Sequence, residues 1–134
     1  MKTRYLAALV GAALISASPL TVLAEGVVIA NSALALSPSD VRDVFTGEKQ
    51  LAGSTKIVPV DNAAAQSDFL AKVMKMDATK YQTAWTKKSF RDGLTAPAVK
   101  ATDAEVVEFV KHSPGAIGYI TGEAPNGVSV VTKY

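Results

Sequence analysis

Pro114-Gly115-Ala116-Ile117-Gly118-Tyr119-Ile120 is a stop signal followed by a short apolar run. Pro and Gly end whatever precedes them, and the uncharged run from Ala116 to Ile120 reads as a strand buried inside a sheet. Just upstream, Thr102-Asp103-Ala104-Glu105 has the form of a capping box, in which the Thr hydroxyl accepts from the Glu backbone N–H and the Glu carboxylate reaches back. Val106, Val107, Phe109 and Val110 supply the apolar stripe of the helix that follows, and His112-Ser113 leads into the Pro-Gly stop. A capped helix that delivers the chain into a buried strand is the unit from which α/β folds are built.

The same alternation runs through the sequence on the N-terminal side. Gly26 to Ala30 is a continuous apolar run rich in β-branched residues and predicts a buried strand. Ser37-Pro38-Ser39-Asp40 opens a helix: Ser37 is placed to cap, Pro38 fits the first helical position, and Asp40 puts negative charge at the positive end of the dipole. Val41, Val44 and Phe45 form its apolar face, and Gly47 closes it. Lys56 to Val60 predicts a second strand, with Pro59 marking an edge or a strand end.

Helical spacing of Phe69, Leu70, Val73 and Met74 predicts a helix from about Ala64 to Lys75. Asp77 caps a further helix through Lys88, whose buried stripe is Tyr81, Ala84 and Trp85. Ser89 to Pro97 has no period and is expected to be a loop. At the other end, Pro125-Asn126-Gly127 has the composition of a hairpin turn, and Val128 to Thr132 alternates as a final strand. The expected order is β, α, β, α, α, α, β, β, an α/β sandwich of two or three layers in a single domain.

The first residues are of a different kind. Lys2 and Arg4 precede an apolar run from Tyr5 to Ile15, which Ser16, Ser18, Pro19 and Thr21 then break before Val22-Leu23-Ala24. This is the pattern of a secretory signal peptide over residues 1–24, cleaved after Ala24, which predicts a periplasmic or secreted domain over residues 25–134. The competing reading is an uncleaved membrane anchor, but the Pro and hydroxyl residues shorten the apolar stretch below spanning length. No stable membrane anchor is therefore expected after cleavage.

Of the 134 residues, 14 are Lys or Arg, 12 are Asp or Glu, one is His and none is Cys. The formal charge of +2 comes from Lys2 and Arg4, so residues 25–134 are neutral and predict no nucleic-acid partner. Without Cys there is no disulfide, thiolate zinc site or cysteine nucleophile, and a single His disfavours a Ser/His relay. No metal or cofactor is expected. There is neither a G-x-S-x-G nor a G-x-x-x-x-G-K motif, and nothing nominates a catalytic residue, so a non-enzyme is expected.

His112 reads as a helix-end residue rather than a ligand, and Trp85 with Tyr81 as core. Lys87, Lys88 and Arg91 form a small cationic cluster at a helix end, read either as a solvated face or as an anion contact. The other place for an anion is the helix start after Asp61-Asn62, where unpaired N–H groups suit phosphate or carboxylate and Asn62 and Ser67 could add donors.

The order of motifs adds something that no single motif carries. The strand Val27-Val28-Ile29-Ala30-Asn31, the helix from Ser39 to Gly47 ending in Phe45-Thr46-Gly47, the strand Ile57-Val58-Pro59-Val60-Asp61, Trp85, Phe90-Arg91-Asp92-Gly93 and the 114–120 run together resemble the periplasmic phosphate-binding proteins of ABC transporters. The resemblance covers nearly all of residues 25–134. It implies the fold of one lobe of a type II periplasmic binding protein, a family whose full-length members close two such lobes on an anion.

The family carries an Arg and then Ser-Gly-Thr in its ligand loop. Here that stretch is Asp61-Asn62-Ala63-Ala64-Ala65-Gln66-Ser67, with neither. The resemblance therefore implies phosphate or another small oxyanion as ligand, held weakly or with a partner's help by the helix start at Asn62, Ala63 and Ala64, by Ser67 and by Thr95. The alternative is a domain that keeps the lobe but not the ligand, and uses it to bind a protein partner, to sense, or to form a homodimer.

Overall fold

A computed structural model describes residues 26–134. The expected signal peptide, residues 1–24, lies outside the described residues. Seven strands and four α-helices follow in the order β1 (Gly26–Asn31), α1 (Asp40–Phe45), β2 (Leu51–Ala52), β3 (Thr55–Lys56), β4 (Val58–Asn62), α2 (Gln66–Phe69), α3 (Ala78–Asp92), β5 (Ala98–Lys100), α4 (Asp103–His112), β6 (Ala116–Thr121) and β7 (Val128–Lys133). A π-helical segment, Leu70–Met74, continues α2 and ends at Lys75, which takes a left-handed conformation with φ 57°.

Five strands form one sheet in the order β5-β4-β6-β1-β7, and β2 pairs with β3 in a separate small ribbon. The 114–120 run supplies β6, the middle strand. On one side β4 runs parallel to β6 and β5 parallel to β4; on the other, β1 lies antiparallel to both β6 and β7. The sheet is thus mixed.

Both faces of this sheet are covered, which settles the layer count at three. Along β1, Val28 and Ala30 join the core under α1, α2 and α3, together with Phe45, Phe69, Trp85 and Tyr119. Val27 and Ile29 join a second core under α4, with Val60, Val106, Val110 and Ile120. Residues that alternate between two buried faces must both be apolar, so the strand reads as an unbroken apolar run. At about 1.5–3 kcal/mol for each fully buried Val or Ile side chain, β1 alone contributes a substantial share of the hydrophobic stabilisation.

The helix signals act locally as chemistry requires, with two differences. Asp77 accepts from Lys80 N–H at 2.7 Å and Thr102 Oγ1 from Glu105 N–H at 3.2 Å, while Glu105 reaches back to Ala101 N–H at 3.0 Å. Ser37, by contrast, does not cap α1. Its N–H and hydroxyl both donate to Asp40 Oδ2, at 2.8 and 2.9 Å, and these bonds with nearby Lys49 hold the half-buried Asp40 carboxyl below its usual range. The helix expected from Ala64 to Lys75 is a single α-turn continued by the π segment.

Other expectations need correction. The loop expected over Ser89–Pro97 is shorter, because α3 continues to Asp92 and ends on Gly93 at φ 68°. Pro125-Asn126-Gly127 does not make a β-hairpin: β7 pairs with β1, which lies between it and β6. Lys56 belongs to the β2–β3 ribbon, and the second strand begins at Val58. Pro59 sits in an inner strand, yet where only β6 flanks it, since pairing with β5 starts at Val60. The missing N–H therefore removes little from the ladder.

Gly118 marks the closest approach of α4 to the sheet. A Cβ there would lie 2.6 Å from Val106 Cγ1 and 3.1 Å from Val60 Cγ2. Gly118→Ala should push α4 off the sheet and destabilise the fold by about 1–3 kcal/mol. Urea unfolding checks this, and an unchanged midpoint would mean that the helix packs with slack.

Candidate functional site

The strand β4 ends in two buried polar residues, Asp61 and Asn62, which are 2% and 0% exposed. Their burial follows from position: β4 has neighbours on both sides and α4 and α3 across its faces. Each must find partners or carry a desolvation cost.

Asp61 finds two tyrosines. Its Oδ2 accepts from the Tyr81 hydroxyl at 2.9 Å and its Oδ1 from the Tyr119 hydroxyl at 2.7 Å, so one carboxylate joins β4, α3 and β6. Burial pushes the Asp61 carboxyl above its ordinary value, and the two hydroxyl donors pull it back in part. Burial together with the adjacent carboxylate raises both tyrosines, which stay as O–H donors. Tyr119 also stacks on Phe69, with ring centroids 3.9 Å apart.

Asn62 finds three partners. Its Nδ2 donates to Asp103 Oδ1 at 2.7 Å and to Tyr119 O at 2.9 Å, while its Oδ1 accepts from Ala64 N–H at 3.0 Å. Asp103 accepts in turn from the N–H and hydroxyl of Thr121. Asn62 thus ties the start of α4 to the end of the parallel strands. Asn31 does the matching task at the other end of α4, donating to Val110 O at 2.8 Å and Lys111 O at 3.2 Å.

These bonds bear on the expected anion contact. Ala63 N–H donates to Lys100 O, Ala64 N–H to the Asn62 side chain and Ala65 N–H to Asn62 O. The first bond into α2 runs from Phe69 N–H to Ala65 O, so within this helix the N–H groups of Gln66, Ser67 and Asp68 have no carbonyl to meet. Ser67 is exposed and lines an open hollow of about 540 Å³ with Gln66, Lys75 and Asp77. Thr95 lies elsewhere, in a cavity with Gly47, Lys56 and Trp85. The structure brings Asn62, Ala63 and Ala64 together and sets Ser67 one turn on, but it does not bring Thr95 to them.

The cationic cluster is not one group. Lys88 is buried and ion-paired with Glu48, and Arg91 bonds Asp92 at 3.1 Å. Trp85 is core, its indole N–H donating to Phe45 O at 3.0 Å, and His112 is an exposed helix-end residue beside Glu108. Asp61 was missed by sequence reasoning. The only signal for it was an acid closing an apolar strand.

Two variants separate these roles. Asn62→Ala removes three hydrogen bonds and leaves Tyr119 O short of a donor, which should cost about 2–4 kcal/mol in chemical denaturation. For Asp61 the raised carboxyl means that the folded state holds its proton to higher pH than the unfolded chain. Its stabilising contribution is complete below the ordinary Asp value of about 4 and is lost as pH rises through the raised value. The stability of the parent relative to Asp61→Asn should therefore fall as pH rises above about 4, and a difference that stays flat or rises would contradict the burial account.

No protein-family model and no curated protein sequence matches the chain. Solved structures do. The chain is similar to an ABC-type phosphate transport receptor from Vibrio cholerae, with TM-score 0.51 and 18% identity over 80% of this chain and 45% of the receptor. It is also similar to a protein described as a phosphate ABC transporter substrate-binding protein with bound phosphate, from Clostridium perfringens, with TM-score 0.59, 18% identity, and 80% and 44% coverage. PstS from Borrelia burgdorferi gives TM-score 0.54 and 16% identity over 72% of this chain and 40% of PstS. The chain spans less than half the length of each. At this level of identity the likeness is one of fold: a mixed α/β domain resembling one lobe of a type II periplasmic binding protein.

Proposed function

We propose that this chain is an exported, non-enzymatic solute-binding-type domain that takes phosphate or a related small oxyanion, weakly or with the help of a second surface. One observation carries the reading. The parallel strands β4, β5 and β6 bring their carboxyl ends, Asn62, Lys100 and Thr121, to one edge of the sheet, where open α/β sheets hold their ligands. The N–H groups of Gln66, Ser67 and Asp68, the Ser67 hydroxyl and the nearby Lys75 are the donors at that edge. Asn62, Ala63 and Ala64 shape the edge from beneath, through the bonds described above. The hollow beside Ser67 is open, so a partner protein or a second copy would supply the missing wall. The likeness to phosphate transport receptors supports this choice of ligand, and the 1–24 sequence pattern supports a periplasmic or secreted location.

A specific observation favours a second reading, an interaction or sensor domain that keeps the lobe without the ligand. The amides of Ala63, Ala64 and Ala65 are already donated within the protein, and Asp61, Asp68 and Asp103 surround the loop with carboxylates. Calorimetric titration of the purified protein with phosphate, sulfate and molybdate separates the two. The first reading expects saturable heat with at least one of them, weakened about three- to tenfold by Ser67→Ala. No heat with any of the three would leave the interaction domain as the function.

A further inference from the structure

The cavity that contains Thr95 lies at the other end of β4 from Ser67. It has a volume of about 220 Å³ and sits between the end of α1, the β2–β3 ribbon and the turn after α3. Val44, Ile57, Trp85 and Leu94 give it an apolar floor, and Lys49, Lys56 and Thr95 also line it. Among the described residues, no acidic one lines it. Two glycines make its rims. Gly47 and Gly93 have φ of 80° and 68°, and a Cβ on Gly47 would lie 2.9 Å from the Trp85 ring.

The polar groups here are only partly engaged within the protein. Lys49 reaches Asp40 at 3.7 Å, which leaves further ammonium donors, since each lysine has three. Among the described residues, the Lys56 ammonium has no ion pair and the Thr95 hydroxyl no hydrogen bond. A hollow with an apolar floor, lined also by two lysines and a threonine, has the composition of a small-molecule site.

We infer that this cavity binds a small organic carboxylate, with its apolar body on Val44, Ile57, Trp85 and Leu94 and its charge between Lys49 and Lys56. Inorganic phosphate lacks the body that the floor would desolvate, and a neutral ring lacks the charge. A peptide is too large for a cavity of about 220 Å³. The site goes beyond the proposed oxyanion function and shares no residue with the Ser67 edge, so each stands or falls without the other.

Trp85 is the chain's single tryptophan and lines this cavity, so its emission is a probe of binding there. Titrating the purified protein with benzoate should give a saturable change in that emission, weakened about tenfold in Lys56→Met and unchanged in Ser67→Ala. Benzyl alcohol and inorganic phosphate should each bind more weakly than benzoate. Lys56 is exposed, so its replacement leaves the core intact, and Thr95→Val provides a second loss through a lining hydroxyl. The assignment is overturned by the absence of a saturable change, by equal affinity for benzyl alcohol, or by unaltered benzoate affinity in both variants.

Discussion

Two strands that are apolar on both faces have to be covered twice, and most of this structure follows from that requirement. β1 is buried at every residue and β6 at every residue but Thr121. Neither can lie against water, so α4 packs on one face and α1, α2 and α3 on the other. Close packing then reaches back into the sequence: Gly118 is where α4 comes nearest the sheet, and the Phe45–Phe69–Tyr119 ring cluster fills the opposite face. Burial on both sides also dictates what happens to polar residues at strand ends. Asp61, Asn62 and Asn31 are enclosed by the same helices that enclose the strands, and each is held by hydrogen bonds because enclosure without them is costly.

That enclosure shapes the functional question. A loop that offers backbone amides to an anion must leave them undonated, and here the side chain of Asn62 takes one of them for itself. The carboxylate of Asp61 lies just behind, fixed by two hydroxyls. The edge that remains is one turn further on, at Ser67, and is open to solvent. The cavity at the opposite end of β4 is smaller and better walled, and of its two lysines Lys49 pairs with Asp40 while Lys56 has no ion pair among the described residues. The two ends of one strand thus have contrasting character, one acidic and internally satisfied, the other cationic.

Much of the fold was legible because periodicity and caps are local. β1, β6 and α4 begin and end close to where apolar spacing, Thr102 and the Pro114-Gly115 stop put them, and α3 begins at its Asp77 cap but runs four residues past its expected end at Lys88. The three-residue β5 was not legible, since Ala98-Val99-Lys100 is too short and too exposed to show a period. The partner of β7 was not legible either, because turn composition at Pro125-Asn126-Gly127 carries no information about which strand the chain returns to. The site suffered most. What Asp61 and Asn62 do depends on Tyr81, Asp103 and Tyr119, which lie 20 to 58 residues away in sequence. Lys56 and Thr95 meet across a cavity that no spacing rule describes.

The antiparallel placement of β1 between β6 and β7 has a kinetic consequence. Gly26 pairs with Thr121 and Val27 with Lys133, so the first strand has no partner near it in sequence. A chain made from its N-terminus cannot complete the middle of its sheet until almost all of it is available, and such long-range pairing slows folding. Completion of the sheet is therefore deferred, and the apolar β1 segment has no strand partner in the meantime. That interval leaves the apolar segment open to chaperones before the chain commits to the folded state.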